Sequence, residues 1–249
     1  MVIQQQKRYK ILLIGDNCLD IYQYGTVDRI SPEAPVPVFK FSHEEQKPGM
    51  AGNVARNLEA LGCEVNFLHG DCSTKTRLID IRSKQQIVRI DNDASSTPIE
   101  FVTAIPKVYD AIVISDYDKG TVSYDVIEEA IATRIPVFVD TKKTDLERLQ
   151  GAWVKINELE YSKIKSECTG LIVTKGAKGA IIKHHDISSP APSVEVVDVT
   201  GAGDTFLSAL AYMYLETKEI KTAVEFANNA ASITVQHVGC YAPKIEEIK

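Results

Sequence analysis

Short, unbroken apolar runs set among stretches of helical period constrain this chain more than any other feature. Residues 11–14, 111–114, 137–139 and 171–173 are such runs, and 65–68 is one broken only by Asn66. A strand that is apolar at every position has both faces buried, which is the pattern of a parallel sheet covered on both sides. Between the runs, Ala51, Val54, Ala55, Leu58 and Leu61 recur at helical spacing, as do Val126, Ile127, Ala130 and Ile131. Two longer helical stretches, 202–215 and 219–235, follow. The alternation predicts an α/β fold, a layered, mostly parallel sheet with helices on both faces.

Two segments break the pattern. Pro35-Val36-Pro37-Val38-Phe39-Lys40-Phe41 is extended, because proline excludes helix and restricts its predecessor; an edge strand accommodates it. Residues 76–91 read as a hairpin around Ser83-Lys84-Gln85, with Ile79, Ile81, Val88 and Ile90 alternating with charged neighbours. Together, about 22–48 and 75–91 form a small β-sheet lid on a single domain covering 1–249. A chain of 249 residues is long enough for one substantial core.

The net charge is -6 and no dense Lys/Arg block occurs, which argues against a nucleic-acid partner. The five cysteines (Cys18, Cys63, Cys72, Cys168 and Cys240) are scattered and form no C-x-x-C pair, so reduced thiols are expected. The polar stretch 1–10 and the short run behind it lack a signal-peptide core, and no apolar stretch approaches a membrane span. A cytoplasmic protein is expected, with no membrane partner.

The chemistry-bearing element is Asp198-Val199-Thr200-Gly201-Ala202-Gly203-Asp204, which opens the stretch containing Phe206, Leu207, Leu210 and Ala211. A Gly-Ala-Gly turn entering a helix leaves backbone N–H groups unpaired where the helix dipole also favours an anion. Glycine lets backbone approach a phosphate with no side chain between. Asp204 in the first turn could accept the proton of an attacking hydroxyl. Taken alone, the same pattern also suits an acidic helix start behind an ordinary turn.

This motif resembles the C-terminal signature of the ribokinase-like (PfkB) carbohydrate kinases. Gly15-Asp16 with Asp20, Gly49-Met50-Ala51-Gly52-Asn53, Asn157-Glu158-Leu159-Glu160 and Thr174-Lys175-Gly176 with Gly179 match in the same order. Residues 29–38 and Ser115-Asp116-Tyr117-Asp118-Lys119-Gly120 resemble the branch that phosphorylates heptose 7-phosphate. The resemblance implies an ATP-dependent sugar kinase with Asp204 as base and Gly201, Ala202 and Gly203 as the anion hole. It implies nucleotide contacts at Asn157, Thr174, Lys175, Gly176, Gly179 and Asn228, and a magnesium role for Asn157 and Glu160. The same pair also fits an ordinary capping box. Sugar contacts are implied at Asp16, Asp20, Gly49, Asn53 and Asp116, with Lys142 suited to an existing sugar phosphate and Arg29, Arg82 and Arg89 as further cations. ATP and Mg2+ are the implied cofactors, with a monovalent cation left open. A simpler sugar of the fructose or ribose type, or a homologue that binds without catalysis, remain alternatives.

The chain also departs from that pattern. Met50 stands where the family usually has glycine, and Asp140-Thr141-Lys142-Lys143 replaces the commoner Asp-Pro-Lys-Gly. Two segments are short: Gly70-Asp71 leads almost directly to Thr76, and only 161–169 separates Glu160 from the next strand. Trimmed cover leaves apolar surface, so a homodimer through the lid is expected.

Overall fold

Strand β1 (Lys10–Ile30) is the axis of the molecule. The structure is a computed structural model that describes residues 8–100, 108–185 and 187–248, so residues 1–7 of the polar N-terminal stretch lie outside it. After β1 come β2 (Pro37–Met50), α1 (Ala51–Ala60), β3 (Glu64–Asp80), β4 (Gln86–Asn92), β5 (Ala111–Asp116), α2 (Tyr124–Ala132) and β6 (Val137–Thr141). Then follow β7 (Trp153–Asn157), α3 (Glu158–Tyr161), β8 (Leu171–Thr174), β9 (Ala180–Ile182), β10 (Ile187–Ser189), α4 (Ala202–Thr217) and α5 (Ile220–Thr234).

The strand order is β10-β9-β8-β7-β6-β5-β1-β3-β4, with β2 paired to β1. Neighbours from β8 across to β3 run parallel, and β9, β10, β2 and β4 are antiparallel additions. Successive side chains of a strand point to opposite faces. Ile11 and Leu13 therefore enter one core with Val54, Leu58, Leu207, Leu210 and Val224 of α1, α4 and α5. Leu12 and Ile14 enter the other, with Val126 and Ile127 of α2. The α/β layering expected from the runs is what the chain adopts, except that 65–68 of β3 alternates between half-buried and exposed side chains and is not buried on both faces.

The lid differs from a separate appended sheet. Both β1 and β3 pass without interruption from the core into it: 17–30 of β1 pairs with β2, and 72–80 of β3 continues beside β1. At the passage Gly15 faces His69, and the next pair is Asn17 with Cys72, so β3 carries one extra residue there. Such a bulge bends a strand and re-aims neighbouring side chains. It falls at Asp16. The short connection after Gly70-Asp71 is thus a strand that never leaves the sheet. The expected hairpin is present, with Arg77 opposite Arg89 and Leu78 opposite Val88.

Met50 has φ 49° and ψ -131°, a backbone region that side chains disfavour, and its side chain is buried. Glycine would take that conformation at no steric cost. Close approach explains Gly15: a Cβ would meet the Ser115 carbonyl oxygen at 2.3 Å.

Candidate active site

Gly201 carries the turn into α4 with φ 78°, the left-handed conformation that glycine adopts at no steric cost. The Asp198 carboxylate fixes the turn from below. Its Oδ1 accepts from the Thr200 amide (2.9 Å) and hydroxyl (2.7 Å), and its Oδ2 from the Gly239 amide (2.8 Å). Burial pushes the Asp198 pKa up, but these hydrogen bonds outweigh it and leave it lowered. Ala202 N–H donates to the Val199 carbonyl at 3.3 Å, while among the described residues the amides of Gly201 and Gly203 meet no acceptor. The open mouth is therefore Gly201 and Gly203, with Ala202 partly engaged.

Asp204 lies in the first turn of α4 and is buried. Its Oδ2 accepts from Asn53 Nδ2 (2.8 Å) and its Oδ1 from the Tyr117 hydroxyl (3.0 Å). Burial pushes its carboxyl up to about 6; Asp140 adds to that, while Asn53, Lys155 and Tyr117 act the other way. Asn53 is buried at the start of α1, and its Oδ1 has no partner among the described residues. An acceptor left unpaired at such a site invites a ligand hydroxyl.

A buried ion pair lies beneath the mouth. Lys155 Nζ donates to Asp140 Oδ2 at 2.6 Å, and a Cβ on Gly203 would lie 2.8 Å from that ammonium. Burial alone would lower the Lys155 pKa; the Asp140 carboxylate more than reverses this, so it stays protonated. Sequence reasoning missed both Lys155 and Tyr117. Lys155 interrupts the apolar run of β7, and the signal that could have found it is a lone lysine inside a strand whose neighbours are all buried.

The expected sugar contacts divide. Asp20 is salt-bridged to Arg77, and a Cβ on Gly49 would lie 2.3 Å from its Oδ2, so Asp20 and Gly49 share one wall. Asp16 is occupied by backbone: its Oδ2 accepts from Tyr117 N (2.7 Å) and Lys119 N (3.2 Å), and its Oδ1 from Thr121 N (3.2 Å). Asp116 accepts from Thr141 Oγ1 (2.5 Å) and pairs with Lys143 (3.2 Å), so both departures from Asp-Pro-Lys-Gly grip one carboxylate. Burial still leaves the Asp116 pKa raised, against the pull of Lys143 and Thr141. Lys142 is salt-bridged to Glu160. Arg29 is exposed near the lid end of β1; Arg82 pairs with Asp28 (2.5 Å) and Arg89 with Asp91 (2.8 Å).

A largely apolar cavity of about 310 Å³ opens on the other side of the turn, and Ala202, Gly203 and Val199 form part of its wall. Thr174, Gly176, Gly179 and Asn228 also line it. Asn228 Nδ2 donates to the Ser189 carbonyl and hydroxyl oxygens, both at 2.9 Å, and ties α5 to β10. Lys175 turns away, its ammonium 3.9 Å from Glu158.

Asn157 and Glu160 form a reciprocal capping box at α3: Glu160 N donates to Asn157 Oδ1 (2.9 Å), and Asn157 N to Glu160 Oε2 (2.8 Å). With Lys142 on the remaining oxygen, and no group of three metal-ligating side chains among the described residues, they form no metal cage. The donor set suits only contacts to the water shell of a magnesium ion that arrives on phosphate oxygens.

Residues 134–247 match the pfkB family carbohydrate kinase pattern. The Bifunctional protein HldE of Nitratiruptor is 36% identical over 300 aligned positions, covering 96% of this chain and 64% of that protein. HldE of Campylobacter curvus is 33% identical over 306 positions, covering 98% and 65%. The chain thus spans a little under two thirds of these relatives. Each alignment has more positions than the chain has residues, so the relatives carry segments that are missing here. Among solved structures, phosphofructokinase-2 of Escherichia coli superposes with a TM-score of 0.72 at 16% identity, covering 96% of both chains. The ribokinase of Thermotoga maritima gives 0.69 at 18%, covering 96% and 97%. At such identities the likeness is one of fold.

A carboxyl whose folded pKa lies near 6 instead of 3.8 favours folding below about pH 4 and loses that contribution as pH rises through 6. Asp204→Asn should therefore raise the urea unfolding free energy at pH 7.5 by roughly 1–3 kcal/mol, with the gain vanishing at pH 4. A variant equally stabilised at both pH values would show that the buried charge carries no such cost.

Proposed function

Given that the chain carries a PfkB carbohydrate kinase domain, we propose that it transfers the γ-phosphate of ATP to a hydroxyl of a sugar phosphate of the heptose 7-phosphate type. The observation that carries this is the position of the Gly201–Gly203 turn. It forms part of the wall of an apolar cavity, and Asp204 follows directly in the same helical turn. The cavity suits the adenine base, and the amides of Gly201 and Gly203 suit the phosphates. The acceptor would lie on the opposite side, between Asn53, Asp20 and Asp204. Its hydroxyl oxygen attacks the γ-phosphorus as the bond to the β-phosphate oxygen breaks, and its proton passes to Asp204. ADP leaves with the electrons of the broken bond. The Gly203 amide and the Lys155 ammonium beneath it offset charge that develops on the transferring group. Magnesium, brought in on the nucleotide with Asn157 and Glu160 beside its water shell, would supply further charge compensation.

The residues suited to the acceptor's own phosphate are Lys47 and Arg77. Both crowd the Tyr22 ring, at 5.3 and 5.2 Å from its centroid. Lys47 Nζ lies 3.8 Å from where a Cβ on Gly239 would sit, beside the segment that anchors Asp198. Lys142 would have to leave Glu160 to take that role. A homodimer through the lid is part of the same proposal. Ile30, Val36, Phe41, Ile81, Val88 and Ile90 of the lid segments are exposed apolar side chains, and a second copy would cover them. No helix among the described residues is long and apolar enough to cross a membrane.

Asp204→Asn should lower kcat by about 10²–10⁴-fold while ATP binding by calorimetry is preserved; unchanged turnover would remove Asp204 as the base. In a coupled assay of ADP release across free sugars and sugar phosphates, phosphorylated acceptors should be preferred. Lys47→Met should raise their KM roughly tenfold, the worth of one charge-assisted hydrogen bond. A preference for free ribose or fructose, indifferent to Lys47, would favour the simpler-sugar kinase. Light scattering should show a dimer that Phe41→Glu with Ile90→Glu converts to monomer; a wild-type monomer would remove the clasp.

A further inference from the structure

Asp204 is held from two sides, and only one of its holders belongs to the sugar-contact pattern. The other is Tyr117, which projects from the loop after β5 and donates its hydroxyl to Asp204 Oδ1 at 3.0 Å. The loop is not loosely placed. The buried Asp16 carboxylate, at the bulge where β1 and β3 leave the core, accepts the amides of Tyr117, Lys119 and Thr121. Asp116 accepts the Asp118 amide (2.9 Å) and is itself clamped by Thr141 and Lys143. The Lys142 ammonium lies 5.4 Å from the Tyr117 ring centroid. The phenol is therefore set by strand ends on three sides, and its reach to Asp204 is built into the fold.

We propose that Tyr117 is a positioning residue for the base: its hydroxyl, aimed by the Asp16-held loop, fixes the Asp204 carboxylate in line with the acceptor and keeps it ionised near neutral pH. The inference rests on the kinase reading of Asp204. Two hydrogen bonds from different elements, Asn53 on α1 and Tyr117 after β5, leave the carboxylate little freedom to rotate. Both donate to its charged form and stabilise it. The remaining groups that face Asp204 are Asp140 on β6, Lys155 on β7 and the Cys240 thiol on the segment after α5. Asp140 and burial favour the proton, and Lys155 opposes them. The Tyr117 hydroxyl adds to Asn53 and Lys155 in favouring the charged form, and it does so through Oδ1, on a side of the carboxylate that Asn53 does not occupy. Burial and the charges of Asp204 and Asp140 push the Tyr117 pKa well up, so the phenol keeps the proton it donates.

The test is the pH profile of kcat/KM for Tyr117→Phe beside wild type, with heptose 7-phosphate and ATP. The acid limb of the variant should move upward by about one pH unit, the size expected for one hydrogen bond to a charged group. At pH 6 kcat should fall roughly tenfold, with KM for ATP unchanged and the two profiles converging at high pH. A uniform loss at every pH, with the limb unmoved, would make Tyr117 a packing residue and overturn the proposal. If Tyr117→Phe does not fold, difluorotyrosine placed at 117 keeps the ring and strengthens donation. The limb should then move downward, and no movement would overturn the proposal equally. Failure of the kinase reading itself is distinguishable, because wild type would then release no ADP with any acceptor, and failure of Asp204 as the base because Asp204→Asn would leave turnover intact whatever Tyr117 does.

Discussion

A carboxylate buried in the first turn of a helix is costly unless something holds it, and the centre of this molecule is organised around holding one. Desolvation opposes the charge on Asp204, and Asp140 opposes it further. Asn53, Tyr117 and Lys155 act against both. The balance leaves a group that titrates near neutrality beside unpaired amides. That is the condition for a base able to take a proton from a hydroxyl yet release it afterwards.

The fold serves this point by bringing strand ends to it. Asp16 and Asp20 come from β1, Asp116 from β5, Asp140 from β6, and Lys155 from β7. Parallel strands with helices between them place such residues at one edge of the sheet. The lid is an extension of two of the same strands and not a separate unit, and it leaves the core at the bulge beside Asp16.

Much of this was legible in the residues. The runs at 11–14, 111–114, 137–139 and 171–173 lie within strands, because both faces of those segments are buried and the sequence shows it directly. The Gly201–Asp204 turn was legible because its first residue takes a left-handed conformation that glycine adopts without strain. What escaped notice was paired chemistry. Strand β7 was hidden by Lys155, a charge that becomes acceptable inside a sheet only when Asp140 meets it across the neighbouring strand. The continuity of β1 from the core into the lid was hidden, because Asp16, Asn17 and Asp20 interrupt its apolar run where the strand leaves the covered core. Asp16 read as a sugar ligand, yet its oxygens hold backbone amides, and Lys142 read as a free cation, yet it lies on Glu160. A residue type shows what a side chain can bind; its partner depends on contacts between distant parts of the chain.

The most direct measurement of the central claim is a crystal structure with a non-hydrolysable ATP analogue and heptose 7-phosphate bound together. The γ-phosphate should lie within hydrogen-bonding distance of the Gly201 and Gly203 amides, with one acceptor hydroxyl between it and an Asp204 oxygen. A γ-phosphate seated elsewhere, or an acceptor whose hydroxyls all lie beyond reach of Asp204, would contradict the account.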